Sequence, residues 1–293
     1  MTSRNNRLIW ASDMIPDVID QVQAAHEQQE KTGSSVIGLQ TGFEQLDRIL
    51  GGLGEGIYIL SAAPAEGKTS FALQVSLTVA RQFPVIYLTY ENSPFNLVTK
   101  GICYFGQIDT ARVRDGLVDM DSFRDAAGQF REVAERMAFV EGNDTVGSPV
   151  ILDMVEQASA FHRCEKCLVV ADYLQRMAPA NSRKTIREQV TEVVHSLRDV
   201  VIKRHCPVLA ISSQNRGGYR ESTQYMGMDS LKESGDLEYS ADAILMLERV
   251  LKGTTPSKRE LLLHITKNRY GEAGSRIKFT FRPAICMFEE KDT

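Results

Sequence analysis

The stretch ILSAAPAEGKTS, residues 59–70, decides the fold of this chain. An apolar, strand-like run (IYILS, 57–61) leads into it, and a helical pattern (SFALQVSLTVA, 70–80) follows it. The tripeptide GKT at 67–69 therefore lies between a strand and a helix, where the pattern G-x-x-x-x-G-K-[ST] forms a phosphate-binding loop, or P-loop. Ala62 stands at the first glycine of that pattern, and alanine is the next smallest residue. We interpret the stretch as a P-loop.

The residues of the loop suit nucleotide phosphates. Gly67 allows backbone N–H groups to wrap a β-phosphate, Lys68 directs a positive charge to the β- and γ-phosphate oxygens, and Thr69 offers a hydroxyl to Mg²⁺. The same tripeptide also occurs at ordinary helix starts, but the strand before it and the helix after it favour the nucleotide interpretation. The residues predicted to contact nucleotide are Ala62, Ala63, Pro64, Ala65, Glu66, Gly67, Lys68, Thr69 and Ser70.

The composition is that of a globular protein. The chain has 293 residues, 43% hydrophobic and 25% charged, enough for one α/β domain of ordinary size or two small ones. Its start has no apolar signal segment and no run reaches membrane-spanning length, so we expect a cytoplasmic protein without a membrane partner. Five cysteines, an odd number, predict free thiols. Because the net charge is −4, any nucleic acid must be bound by local basic groups.

Strand-like and helix-like segments alternate from Gly38 onward. Strands that are apolar throughout and separated by helices predict a mainly parallel sheet covered on both faces. A helix is clearest at 185–204, and the tail at 260–266 and 275–288 predicts antiparallel strands. The predicted core strands are IYILS at 57–61, VIYLTY at 85–90, LVVA at 168–171, VLAIS at 208–212 and AILML at 243–247.

Residues 1–35 are predicted to form a segment separate from the α/β domain at 36–293. An amphipathic helix is expected over 12–30, and the polar run EQQEKTGSS that follows it is typical of a linker. The narrow apolar stripe of this helix consists of Ile15, Ile19, Val22 and Ala25.

Two acidic residues follow predicted strands. Asp172 comes directly after LVVA, and Glu91 comes at the end of the second strand. Ligands of open α/β sheets bind outside the carboxyl ends of the strands, so both carboxylates are expected near the P-loop. Asp172 would hold Mg²⁺ through water, and Glu91, buried beside the γ-phosphate, would orient and deprotonate the attacking water. Either acid alone could also be a solvated loop residue or a helix cap.

Together these segments resemble the RecA-like ATPase domain of the DnaB-type hexameric replicative helicases, from about Ile15 to Phe288. The P-loop of that family also has alanine at its first position, as Ala62 is here. The matching segments are TGFEQLDRILGGL (41–53), AAPAEGKTSFA (62–72), YENSP (90–94), RVRDGLVDMDSF (112–123), VVADYLQRM (169–177), SLKESGDLEYSADAILML (230–247) and ITKNRYGEAGSRIKFTF (265–281).

The resemblance implies a fold and an activity. The fold is an α/β, RecA-like P-loop NTPase with a mainly parallel twisted sheet, helices on both faces and an antiparallel C-terminal extension. The activity is that of a ring-forming DNA helicase that moves along single-stranded DNA by hydrolysing ATP, with Mg²⁺, at the subunit interfaces of a hexameric ring. A loader or a primase would be its protein partner. A RecA- or KaiC-like ATPase without unwinding activity is the alternative, and an inactive ring that serves as a scaffold is a third.

The resemblance also gives roles to single residues. Lys68, Glu91 and Asp172 match catalytic positions within the subunit, whereas Lys267 and Arg269 match residues that reach the γ-phosphate of the neighbouring subunit. Such an arginine finger contributes ~10³–10⁵ in turnover. The predicted DNA-binding residues are Lys232, Glu233 and Gly235.

The chain departs from the family pattern at three places. No counterpart of the family's N-terminal helical domain is recognised, although the helix at 12–30 resembles the linker that docks on a neighbour. Ser213 stands where the family has a glutamine that senses the γ-phosphate, and Gln214 follows it, so both are candidates for the sensor. Lys232 replaces an arginine, which keeps the charge but loses the bidentate fork.

One cluster lies outside the resemblance. The cluster comprises His162, Cys164 and Cys167, just before the third predicted strand, and His205 and Cys206, just before the fourth. The two strands are expected to be parallel neighbours, which would gather these groups at the edge opposite the P-loop. The C-x-x-C spacing suits structural Zn²⁺, whereas buried free thiols are the more common explanation.

Overall fold

The computed structural model describes residues 10–33, 36–143, 146–177, 185–213, 239–250, 254–255 and 257–291. A single mixed sheet organises this part of the chain. Its strands are β1 Ile57–Ala62, β2 Val85–Thr89, β3 Met137–Glu141, β4 Leu168–Asp172, β5 Val208–Ser213, β6 Ala243–Val250, β7 Arg259–Asn268, β8 Arg276–Arg282 and β9 Met287–Glu290. The described helices are α1 Ala11–Thr32, α2 Glu44–Leu50, α3 Lys68–Val79, α4 Pro94–Gly106, α5 Thr110–Arg114, α6 Met120–Ala134, α7 Ser148–His162 and α8 Ile186–Arg204.

The sheet is parallel on one side and antiparallel on the other. Its strand order is β3-β2-β4-β5-β1-β6-β7-β8-β9. The strands from β3 to β6 pair in parallel, and β7, β8 and β9 continue the sheet through antiparallel pairs. This arrangement confirms the predicted fold class, and it brings the carboxyl ends of the parallel strands to one edge of the sheet.

Alternate residues of the central strands fill two separate cores, because successive side chains of a strand point to opposite faces. Leu60 packs in the core that contains Phe71 of α3, whereas Ile59 packs in the core that contains Val194 of α8. All six residues of β1 are buried. Burial on both faces is the reason that β1 is apolar except for Ser61, and the two helical layers confirm the prediction of a covered sheet.

Some strand boundaries differ from the prediction. The segment predicted as one strand at 275–288 is two strands, because a 3₁₀ turn at Pro283–Ile285 separates β8 from β9. Strand β3 was not predicted, since its sequence MAFVE lies at the edge of the sheet and is only partly buried. The helix predicted at 185–204 is α8, which begins with a capping box formed by Thr185 and Glu188.

Helix α1 has 22 residues and ends at Gly33, whose backbone is left-handed. The apolar stripe predicted on it is exposed to solvent: 57% of Ile15, 57% of Ile19 and 62% of Val22 is accessible. An exposed stripe of this length on a helix is a surface that another element could cover. None of the helices in the described ranges is long and apolar enough to cross a membrane.

The structure does not support the zinc hypothesis. Strands β4 and β5 are parallel neighbours, as predicted, but no group of three or more His, Cys, Asp or Glu side chains among the described residues could hold a metal ion. Nδ1 of His205 lies 2.9 Å from Oε2 of Glu55 instead. Cys167 and Cys206 are buried, and burial raises the pKa of the Cys206 thiol to about 12. All five cysteines are free, in agreement with the alternative explanation.

Two glycine-containing segments meet just before β1. The backbone N–H of Gly38 donates to the carbonyl of Gly51 over 2.9 Å, and Leu39 and Leu53 form an antiparallel bridge. A Cβ atom on Gly38 would lie 2.6 Å from the carbonyl carbon of Gly52, and backbone atoms have little freedom to move aside. The close approach of the two segments therefore requires glycine at position 38.

We predict that Gly38→Ala lowers the free energy of unfolding by about 2 kcal/mol, because the added methyl group collides with backbone. Gly128→Ala is the matched control. Gly128 lies in α6, and apart from its chain neighbours and the adjacent backbone of the helix, no described atom lies within 4 Å of its Cβ position, so alanine should stabilise the helix by about 0.5–1 kcal/mol. Urea denaturation measures both changes. Equal stability of Gly38→Ala and the wild type would contradict the close approach.

Candidate active site

The last residue of the loop between β1 and α3 has a backbone conformation that only glycine adopts easily. Gly67 caps α3 with a φ of +91°. A Cβ atom there would lie 2.7 Å from Cε1 of Phe281 and 3.0 Å from Cζ of Phe288. Ala62, the last residue of β1, is fully buried, which explains why a small residue suffices at this position. The loop therefore presents the N-terminus of a 12-residue helix, a site that favours anions.

Lys68 is held over the loop by the backbone. Its Nζ donates to the carbonyls of Ala62 at 2.8 Å and Ala63 at 3.0 Å. Burial lowers the pKa of Lys68, and the negative charges of Asp172 and Glu91 act in the opposite direction. The ammonium group is thus partly desolvated, which strengthens its attraction to an incoming anion, and the nearby carboxylates favour its protonated form.

Asp172 ends β4 and is only 1% exposed. Its Oδ2 accepts two hydrogen bonds, from Oγ1 of Thr69 at 2.9 Å and from the hydroxyl of Tyr87 at 2.9 Å. Burial raises the pKa of Asp172, and the hydrogen bonds from Thr69 and Tyr87 oppose that shift. The carboxylate and hydroxyl oxygens that meet here are the ligand types that Mg²⁺ prefers.

Glu91 is placed differently from the expectation. It lies in the turn between β2 and α4, which Thr89 closes by donating from Oγ1 to the carbonyl of Asn92 over 2.6 Å. The side chain of Glu91 lines the cavity at the P-loop, as predicted, but it is exposed rather than buried. The physical reason is that β2 ends at Thr89, so Glu91 has already left the covered sheet.

A cavity of about 510 Å³ opens beside the P-loop, a volume typical of small-molecule sites. Its cationic groups are Lys68, Lys100 and Arg259, and its carboxylates are Glu91 and Asp172. The remaining lining residues are Pro64, Ala65, Gly67, Thr69, Ser70, Asn92, Thr110, Tyr173, Ile211, Ser213, Phe281, Pro283 and Cys286. Three predicted contact residues, Ala62, Ala63 and Glu66, do not line the cavity.

The end of β5 is fastened to the residues after β4. Nε2 of Gln175 donates to Oγ of Ser212 at 3.0 Å, and the backbone N–H of Ser213 donates to Oε1 of Gln175 at 3.3 Å. Ser213 lines the cavity, whereas the other sensor candidate, Gln214, lies outside the described residues. The predicted DNA-binding residues, Lys232, Glu233 and Gly235, also lie outside them.

Lys267 and Arg269 lie at the opposite edge of the sheet. They are at the end of β7, which pairs with the start of β6, and the start of β6 in turn lies beside the start of β1. Nη1 of Arg269 lies 2.7 Å from Oδ1 of Asp242, a fully buried carboxylate that also receives Nη1 of Arg198 at 2.8 Å. The structure therefore does not bring Lys267 and Arg269 to the cavity of their own chain.

Several residues at the site were not predicted from the sequence. Tyr87 lies within an apolar strand pattern, although a hydroxyl in a fully buried strand is a signal that a polar partner lies nearby. Gln175, Arg249 and Arg259 gave no local signal, because their partners are distant in sequence.

The fold and the site define a class of protein. A P-loop at the carboxyl edge of a mostly parallel sheet, with an acidic residue at the end of β4 bonded to the P-loop threonine, is the arrangement of a RecA-like P-loop ATPase domain. The family model for the DnaB-like helicase C terminal domain matches residues 38–290, and the chain belongs to this family.

Curated relatives and solved structures agree with this assignment. The chain is 24% identical to the replicative DNA helicase DnaB of Leifsonia xyli subsp. xyli, over 95% of this chain and 61% of the relative. It is 26% identical to the replicative DNA helicase DnaC of Bacillus subtilis, over 89% of this chain and 58% of the relative. The chain thus spans about 60% of the length of these relatives.

The solved structures share the fold. A separately solved ATPase domain superposes with a TM-score of 0.79 at 22% identity, covering 94% of this chain and 99% of that one. A DnaB-like replicative helicase, solved in a study of its interactions with primase, superposes with a TM-score of 0.77 at 21% identity, covering 98% of this chain and 68% of that one.

We predict that Tyr87→Phe lowers the free energy of unfolding by about 1–2 kcal/mol at neutral pH, because buried Asp172 loses a donor. Burial already raises the pKa of Asp172, so its charged form destabilises the folded state above that pKa. Loss of the donor raises the pKa further. The loss of unfolding free energy in Tyr87→Phe should therefore be complete above the raised folded-state pKa of Asp172 in the variant, and it should shrink as the pH falls from there through the folded-state pKa of Asp172 in the wild type.

Tyr58→Phe is the control for this measurement. The hydroxyl of Tyr58 is also buried, but it accepts from the backbone N–H of Gly54 over 2.8 Å instead of bonding a carboxylate. The loss of unfolding free energy in Tyr58→Phe, measured by urea denaturation across the same pH series, should stay constant. If the deficits of Tyr87→Phe and Tyr58→Phe have the same pH dependence, the bond from Tyr87 does not stabilise the charged form of Asp172.

Proposed function

We propose that this chain is the motor of a cytoplasmic, ring-forming DNA helicase that hydrolyses ATP at its subunit interfaces and moves along single-stranded DNA. The observation that carries the proposal is the separation of Lys68 and Arg269 at opposite edges of one sheet. Each subunit has a nucleotide cavity at one edge and cationic side chains at the other, so a head-to-tail ring would complete each site with groups from two subunits. Membership of the DnaB-like helicase family supports this proposal.

The half of the site within the chain would bind and orient ATP. Lys68, now bonded to the carbonyls of Ala62 and Ala63, would exchange these partners for phosphate oxygens. Thr69 and Asp172 offer the oxygen ligands for Mg²⁺, which when bound would neutralise charge on the β- and γ-phosphate oxygens. Glu91, in the wall of the cavity, would accept the proton of the attacking water.

The other half of the site would come from the neighbouring subunit. The side chain of Arg269 is 48% exposed even with its bond to Asp242, so its guanidinium is accessible at the surface of the chain. We assign Arg269 as the arginine finger and Lys267 as its companion. Both would stabilise charge on the neighbour's γ-phosphate in the transition state.

The remaining assignments rest on the resemblance. Lys232, Glu233 and Gly235 would contact single-stranded DNA in the channel, and Ser213 or Gln214 would sense the γ-phosphate. The exposed stripe of α1, within the separate segment 1–35, would dock on the next subunit of the hexamer. A loader or a primase would bind the assembled ring.

Arg269→Ala and Lys68→Ala test the shared site when they are mixed. Arg269→Ala should bind nucleotide nearly as well as the wild type but hydrolyse it ~10³-fold or more slowly, since a finger acts chiefly in the transition state. Lys68→Ala should lose nucleotide binding. In mixed rings a Lys68→Ala subunit lends its finger to an Arg269→Ala pocket. In an equal mixture with random assembly, about a quarter of the interfaces combine the pocket of an Arg269→Ala subunit with the finger of a Lys68→Ala subunit. DNA-stimulated hydrolysis should therefore recover to about a quarter of the wild-type rate.

Arg198→Ala is the control, because Arg198 bonds the same buried carboxylate, Asp242, and is not proposed to act on nucleotide. Arg198→Ala should hydrolyse ATP at about the wild-type rate even if the variant is less stable. Labelled subunits confirm that exchange has occurred. A mixture that stays inactive after exchange would show that the finger does not act between chains, and a RecA-like ATPase that completes its site within one chain would then fit better.

The stripe of α1 gives a separate prediction about assembly. Replacing Ile15, Ile19 and Val22 with serine should yield smaller species at micromolar concentration, because three exposed apolar side chains would no longer be buried on a neighbour. Asp17→Asn with Asp20→Asn, on the opposite face of the helix, should leave the assembly unchanged. Light scattering with a non-hydrolysable ATP analogue measures the mass. An intact ring formed by the serine variant would exclude this docking.

A further inference from the structure

The P-loop of this chain contains a buried carboxylate. Glu66 directly precedes Gly67, and its side chain is only 8% exposed. A negative charge that is shielded from water beside a phosphate site repels the phosphates, since the repulsion is weakly screened there. Its field reaches the loop lysine, because Glu66 is one of the charges that raise the pKa of Lys68 against the effect of burial.

Arg249 is positioned to cancel this charge. It comes from the end of β6, and its guanidinium meets the carboxylate of Glu66 with both prongs: Nε to Oε2 at 3.0 Å and Nη2 to Oε1 at 2.9 Å. Only 30% of the Arg249 side chain is exposed. A planar, bidentate and largely buried pair of this kind fixes the orientation of both groups as well as neutralising the charge.

A second arginine holds the residue before Glu66. Nη1 of Arg259, the first residue of β7, donates to the carbonyl of Ala65 over 2.6 Å. Ala65 has a φ of +66°, the left-handed region that non-glycine residues adopt only when the surroundings hold them there. The adjoining ends of β6 and β7 therefore hold two consecutive residues of the P-loop, Ala65 and Glu66.

We propose that Arg249 is a positioning residue of the nucleotide site: by pairing with Glu66 it removes a repulsive charge from the P-loop and holds the loop in its anion-binding conformation. This inference rests on the proposed function, in which the loop binds a nucleoside triphosphate. It assigns a task in nucleotide binding to a residue that does not line the cavity.

The test is equilibrium binding of a fluorescent, non-hydrolysable ATP analogue. Arg249→Met should raise the Kd about tenfold, because it leaves the charge of Glu66 unopposed beside the phosphates. Glu66→Gln should bind more tightly than Arg249→Met, because it removes the repulsive carboxylate charge instead of leaving it unopposed. Glu66→Gln combined with Arg249→Met should return to within about threefold of wild type, since no buried charge is then left unpaired. Should Arg249→Met fail to fold, Arg249→Gln takes its place with the same expected order.

Thermal unfolding separates this role from a purely structural one. Arg282→Met is the control, since Arg282 pairs with Glu289 between β8 and β9 at 2.9 Å in the same part of the sheet. It should leave the Kd unchanged. The inference is overturned if Arg249→Met loses thermal stability but binds like the wild type, or if the double variant binds as weakly as Arg249→Met. A wild-type chain that binds no nucleotide would instead overturn the proposed function, and this inference with it.

Discussion

The left-handed turn of the P-loop is the constraint on which the site depends. Ala65 and Gly67 have φ angles of +66° and +91°, so the loop needs support from outside to keep this shape. The support comes from the antiparallel extension of the sheet. Phe281 and Phe288 stack at 4.2 Å between ring centroids and form the wall against which Gly67 lies. Strands β8 and β9 are therefore part of the nucleotide site, although they come more than 200 residues after the loop.

One pair of strands reaches both edges of the molecule. Strands β6 and β7 pair from Ala243 opposite Asn268 to Val250 opposite Glu260. The first end carries Arg269 bonded to Asp242, and the second carries Arg249 bonded to Glu66. In the proposed ring this strand pair would contact the P-loop of its own subunit and the phosphate of the next. At both ends a buried carboxylate is paired with an arginine. Burying the carboxylate costs little free energy only while its arginine partner is present.

Buried carboxylates also organise the interior of the site. Asp172 is held by Thr69 and Tyr87, and these two donors oppose the rise of its pKa that burial causes. The hydroxyl of Thr69 therefore has a fixed direction before any ligand arrives. Gln175 fixes the end of β5 in a similar way. Donors that are already oriented reduce the reorganisation that binding requires.

The P-loop, the apolar core strands, the mainly parallel sheet and the family resemblance could all be predicted from the amino-acid sequence, because these features depend on local patterns. The sequence placed Asp172 and Glu91 at strand ends for the same reason. It missed β3, a five-residue strand at the edge of the sheet, and it predicted burial for Glu91, which lies beyond the end of β2. Which side chains contact one another became visible in the tertiary structure alone. Tyr87 bonds a carboxylate 85 residues away, and Arg249 one that is 183 residues away. Contacts at such separations follow from sheet order and register, and no local pattern of side chains contains that information.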